Sequence, residues 1–90
     1  MRIWGKIIKD NRIIKNEVAL SSNEVSYQDN LKVCIIELCE KMDISKPYWL
    51  PSNMAEYNKR SKTTFNLHNF IEDIDFDKFT IEELKEKKDK

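Results

Sequence analysis

Apolar positions in "RIWGKIIK" and "RIIKNEVAL" fall on both faces of an extended chain, and both stretches are rich in β-branched side chains. That pattern predicts two strands. Between them stand Asp10 and Asn11. Both residue types tolerate left-handed dihedrals, so a two-residue hairpin turn is expected. Ile3 and Ile7 share one face of the first strand, and Trp4 and Ile8 share the other. Both faces therefore want some cover.

The period then lengthens. Tyr27, Leu31, Cys34, Ile35, Leu38 and Met42 form an apolar stripe at helical spacing, which predicts a helix over roughly 23 to 43. Ser21, with Glu24 three residues on, has the form of a capping box at its start. Val33 and Ile36 fall on the back of that helix, near Asp29 and Glu40. They are either ordinary exposed apolar residues or the mark of a helix covered on two sides.

"ISKPYWLP" interrupts the helical period. Pro47 pushes Lys46 to extended dihedrals. Pro51 suits the first turn of a second helix, with Leu50, Met54 and Tyr57 on one side and an end near Arg60. "TFNLHNFIEDI" predicts a third, short helix, capped by Asn66, with Phe65 and Phe70 as a hydrophobic staple. "FDKFTIEEL" places Phe79 and Ile81 in one alternating run, a last strand. No internal repeat is visible.

A right-handed crossover from the second strand would set the last strand beside the first. The expected fold is α+β: a three-stranded antiparallel sheet in the order 2-1-3, covered by one long helix, with two short helices before the last strand. A central first strand explains its apolar residues on both faces. Residues 1–84 are expected to form a single domain, and 85–90, "KEKKDK", a charged, frayed tail.

Composition narrows the classes. The chain has 90 residues, 40% hydrophobic, enough for a globular core but a thin one, since a chain this short buries roughly 60–65% of its unfolded surface. Sixteen basic residues balance sixteen acidic ones, so no global field attracts nucleic acid or a membrane. The charge is nevertheless blockwise: basic over 1–15 and 46–62, acidic over 16–45 and 63–83, basic again over 84–90. Such blocks could pair within the fold or across an interface. No stretch has the apolar length of a signal peptide core or a membrane span. The expectation is a cytoplasmic protein with reduced thiols. Cys34 and Cys39, five residues apart, lie about 140° apart around a helix and cannot pair within it.

Several chemistries are excluded by the residues available. Gly5 is the single glycine, so neither a P-loop nor a dinucleotide fingerprint is present. Two cysteines and His68 do not make the four ligands of a structural zinc site. Cysteines on or beside a core stripe are inert thiols. The acidic set Glu72, Asp73, Asp75, Asp77, Glu82 and Glu83 is denser, opposed by Lys78 alone. Carboxylates of this kind bind Mg²⁺ in metal-dependent enzymes, and on a strand Asp75 and Asp77 would share a face. Charges that keep a strand edge from pairing are the more economical reading. No cofactor, metal or catalytic residue is expected.

The stretch "YNKRSKTTFNLHNF", residues 57–70, sets Lys59, Arg60 and Lys62 among hydroxyls, amides and aromatics. Lys59 and Arg60 fall where a helix C-terminus favours cations. Thr63, Thr64 and Asn66 fall where a following helix needs a cap. What local structure leaves over is Arg60 and Lys62 beside Tyr57 and His68, a candidate contact for phosphate or for an acidic protein surface. The pattern "PYWLPSNMAEYNKRSKTTFNLHNFIEDIDFDKF", preceded by "MRIWGKIIKDNRII", resembles a group of small bacterial proteins without assigned function. That resemblance implies one complete domain and carries over no activity, cofactor or catalytic residue.

The sequence favours a small non-enzymatic protein that binds another protein, with a homodimer as one form of that association. Aromatics such as Trp4, Tyr48, Trp49 and Tyr57 suit an interface, and Val33, Ile36, Tyr48 and Trp49 are the candidate subunit contacts. The alternative is an RNA- or DNA-binding module using Tyr57, Lys59, Arg60, Lys62 and His68, with Tyr48 or Trp49 for stacking. A third reading is a metal-dependent enzyme built on the acidic cluster over 72–83.

Overall fold

The computed structural model describes residues 2–20 and 27–84. It is an α+β fold: β1 (Arg2–Lys9), β2 (Arg12–Leu20), α1 (Tyr27–Met42), α2 (Pro51–Arg60), β3 (Lys62–Phe65) and β4 (Lys78–Leu84), with a 3-10 turn at Leu67–Asn69. The strands form one antiparallel sheet in the order β2-β1-β4-β3.

The hairpin forms where expected. Asp10 and Asn11 have φ of 53° and 65°, the left-handed pair of a two-residue turn whose twist matches the strands. Asp77 secures it: its carboxylate accepts from the Asp10 N–H at 2.8 Å, while its own N–H donates to the Ile8 carbonyl at 2.9 Å.

The expected neighbours of β1 are confirmed, with β4 beside it in the place given to the last strand. The expected three strands become four. Residues 62–65, read as helix caps and staple, are instead the edge strand β3, with Thr63 and Phe65 buried. Two threonines before an asparagine look like a cap, but a strand partner decides otherwise. Thr64 meets Thr80 across β4, their hydroxyls 3.1 Å apart. The third helix shrinks to the 3-10 turn. Asn66 does cap it, its side chain accepting from the His68 N–H at 3.0 Å. The rings expected to staple it find other partners: Phe65 lies 5.6 Å from Phe79 and Phe70 lies 5.7 Å from Phe76. Asp75 and Asp77 precede β4 rather than lying in it. The Ser21–Glu24 capping box and the 85–90 tail fall outside the described residues.

The main helix is also shorter than "one long helix" implies. As described, α1 has 16 residues, and it covers only β1 and β2; α2 covers β3. The stripe itself is right: Leu31, Cys34, Ile35, Leu38 and Met42 are buried. Asp43 ends the helix at φ 58°. The next N–H, of Ile44, reaches back to the Cys39 carbonyl at 3.0 Å, and the Asp43 N–H reaches Glu40 at 3.3 Å, the paired bonds of a Schellman stop.

Gly5 explains how closely α1 sits on the sheet. A Cβ there would come within 3.0 Å of Leu38 and Phe79 and 3.2 Å of Met42. The helix approaches over the one position without a side chain. Among the described residues no helix lies over the opposite face of the sheet, where Trp4, Lys6 and Ile8 are half-buried.

Candidate functional site

Because α1 and α2 lie over different strands and scarcely touch, a groove opens between them, with a volume of about 350 Å³. Leu31, Ile35 and Ile36 of α1 form one wall, and Met54 and Tyr57 of α2 form the other. Phe65 and Trp49 line its inner part. Trp49 is fixed by rings on two sides, 5.9 Å from Tyr57 and 5.9 Å from Phe65.

The polar members of the lining are Lys32, Lys46 and Asn58. Lys32 stands one position from Leu31 and four from Ile36, so a cation borders the apolar wall. Lys46 and Pro47 enter from the segment between the helices. No carboxylate occurs among the described lining residues. The surface is thus apolar inside and cationic at the edge.

A buried polar cluster holds the α2 wall in place. Asn53 accepts from the Leu50 N–H at 3.0 Å and from Asn69 Nδ2 at 2.8 Å. Its own Nδ2 donates to Thr63 Oγ1 at 2.9 Å and to the Thr64 carbonyl at 3.1 Å. Thr63 in turn donates to Glu56 Oε1 at 2.7 Å. Asn69 also donates to the Tyr48 carbonyl at 2.8 Å, and the Tyr48 N–H donates to the Asn69 carbonyl at 2.6 Å. These bonds tie the segment carrying Tyr48 and Trp49 to α2, β3 and the 3-10 turn.

The residues singled out from the sequence are distributed over several surfaces. Tyr57 is buried and donates to Glu83 Oε1 at 3.1 Å, so its hydroxyl is engaged inside the fold. Lys59 and Arg60 are exposed at the end of α2, which stops at Ser61 with φ 59°. Lys62 lies across β4 from Glu82, and His68 is exposed in the 3-10 turn. Within the 57–70 stretch, Tyr57 thus has an internal partner, while Lys59, Arg60, Lys62 and His68 face solvent. Ile36 and Trp49 meet at the groove. Val33, 50% exposed, lies about 60° around the helix from Ile36 on the side away from it. Tyr48, 55% exposed, is not part of the lining, although its chain neighbours Pro47 and Trp49 are.

The acidic set is likewise dispersed into structural bonds. Glu72 accepts from Ser45 Oγ at 2.8 Å, and Glu82 pairs with Lys6 at 3.8 Å. Asp77 holds the hairpin, and Glu83 takes the Tyr57 hydroxyl. Among the described residues, no three His, Cys, Asp or Glu side chains gather at a metal-binding distance. Cys34 and Cys39 are both buried. Burial pushes the Cys39 thiol up to about 11, with Lys46 pulling weakly the other way. It stays protonated at neutral pH and is a poor nucleophile.

The groove was only partly legible in the sequence. The sequence singles out Ile36, Trp49 and Tyr57, but Lys32, Lys46 and Met54 enter through the placement of two helices that are distant in the chain. An apolar Ile36 off the core stripe was the available signal. Among the described residues, no helix is long and apolar enough to cross a membrane. Comparison with protein-family models, with curated proteins and with solved structures found no match.

Proposed function

We propose that this chain is a non-catalytic binding domain whose recognition element is the groove between α1 and α2. Its partner is an amphipathic segment of another protein, apolar on the buried side and acidic at its flanks. The observation that carries this is the lining: apolar side chains inside, Lys32 and Lys46 at the edge and no described carboxylate. A volume of about 350 Å³ lies at the small end for a ligand pocket and suits a few anchoring side chains of a helix laid in a groove. Tyr48 and Leu50, outside the lining, add exposed apolar surface on the segment that carries Trp49. A cytoplasmic location belongs to the same reading and is in keeping with two buried thiols that form no disulfide.

The test is capture of partners from the native host by wild type and by Ile36→Asp, followed by mass spectrometry. A protein held by wild type, lost with Ile36→Asp and weakened by Lys32→Glu with Lys46→Glu, supports the groove. Identical capture by wild type and Ile36→Asp refutes it.

A nucleic-acid reading draws on another surface. On the uncovered face of the sheet Arg2, Lys6, Lys62 and Lys78 share a side with Trp4, an arrangement for phosphates around one stacking ring. Lys6 already lies over the Trp4 ring at 4.2 Å and pairs with Glu82, which weakens it. Anisotropy titration with a single-stranded oligomer at two salt concentrations decides: flat curves remove this reading.

A further inference from the structure

The strand β2 is an edge of the sheet and nine residues long. The other edge, β3, has four. A long edge presents backbone donors and acceptors on which a further strand can add. Exposed apolar side chains make this one adhesive: Ile13 is 51% exposed and Leu20 62%. Stable edges of this kind carry a feature that stops addition.

Two lysines strap β2 to α1. Lys15 Nζ donates to the Met42 carbonyl at 3.0 Å, which places a cation at the C-terminal end of the helix. Lys41 Nζ runs the other way, from the helix to the Val18 carbonyl at 3.1 Å. Glu37, one turn earlier on α1, pairs with Lys41 at 3.2 Å and steadies it.

The two straps differ because backbone groups alternate along an antiparallel ladder. The Asp77 N–H donates to the Ile8 carbonyl, so Ile8, and with it Lys6 and Trp4, turn their backbone groups away from β2. Val18, opposite Trp4, therefore exchanges no bonds with β1. Its N–H and carbonyl point outward, as do those of Asn16 and Leu20. Ile14 is the extra residue of a bulge against Ile7 and Ile8, which ends the regular outward row at Asn16. Val18 is thus the middle of the three residues that an added strand must use, and its acceptor is the one Lys41 holds.

We infer that Lys41 guards the β2 edge against strand addition. An incoming strand has to displace the ammonium from the central acceptor, or bury it beside the new pairing, and burying a charge is costly. Lys15 has no such part, because the carbonyl it holds belongs to α1. Lys41 stands about 140° around α1 from Ile36, so the guard does not rest on the groove or on its proposed partner.

Sedimentation velocity and thermal melts of four variants test it. Lys41→Ala should strengthen self-association about tenfold or more, since the charged donor no longer has to be displaced. Its melting temperature should stay within about 4 °C of wild type, because an exposed lysine adds little to stability. Lys41→Arg keeps a charged donor and should behave as wild type. Lys15→Ala removes the cation at the helix end, so it should melt earlier yet associate no more than wild type. Val18→Pro added to Lys41→Ala removes the outward N–H without costing a bond to β1, and should return association to the wild-type level. The guard is refuted if Lys41→Ala associates no more strongly than wild type, if Lys41→Arg or Lys15→Ala gains as much as Lys41→Ala, or if the gain survives Val18→Pro.

Discussion

The two ends of the sheet are held by different physics. Over β1 and β2, α1 lays Leu38 and Met42 on Ile3, Gly5 and Ile7, an aliphatic contact with a glycine at its centre. Over β3, α2 is held by a buried polar cluster, Asn53, Thr63 and Asn69, beneath a ring set of Trp49, Tyr57, Phe65 and Phe79. Apolar burial is non-directional and scales with area. Buried amides are directional, and each donor left without a partner costs free energy. The first half should accept swaps that conserve volume. The second should not, and it is this half that fixes the Tyr48–Trp49 segment along the groove.

The largest expected effect is in the aliphatic half. Leu38→Ala should cost about 2–5 kcal/mol, because it leaves a cavity between α1 and the sheet. Leu38→Met should cost less than about 1.5 kcal/mol. Denaturant melts of both variants measure the tolerance of this half.

Asn53→Ala should cost about 1–3 kcal/mol, since it deprives the Leu50 N–H and Asn69 Nδ2 of their acceptor and Thr63 of a donor. Asn53→Leu, close in volume, should be no milder. If Asn53→Leu proves as harmless as Leu38→Met, the contrast between the halves collapses.

Gly5→Ala should cost about 1–2 kcal/mol by crowding Leu38, Phe79 and Met42. Its effect should shrink when combined with Leu38→Ala, which clears one of those neighbours, and a double-mutant cycle reads that coupling.

At neutral pH the titration of Cys39 contributes nothing, and its effect is seen only at high pH. Its folded value is raised from 9.0 to about 11 by burial. The unfolded thiol ionises first on the way up, so stability is complete below about pH 9 and falls as pH rises from there toward 11. Cys39→Ala should flatten that part of the pH–stability curve. Smallest is Lys41→Ala, exposed on the helix flank, at about 0.5 kcal/mol or less.

The halves also differ in how far they could be read from the chain. The hairpin, the stripe on α1 and the burial of Phe79 and Ile81 follow from local rules: turn dihedrals and periods of 2 and 3.6. The same is true of the start of α2 at Pro51 and of the Asn66 cap. These are short-range properties, and the residues that decide them are neighbours in sequence.

Tertiary structure alone decided the rest. "KTTF" is too short to show a period, and its threonines suit a cap as well as a strand. Only β4, some fifteen residues later, makes it β3. The amide cluster joins Asn53, Thr63 and Asn69, which carry no common spacing, because hydrogen bonds between distant segments leave no periodic trace. The groove exists because α1 covers one pair of strands and α2 another, a fact about the sheet order and not about either helix. The open edge of β2 depends on the same order: whether a strand is central or lateral is set by which distant strands pair with it, and its own residues permit either.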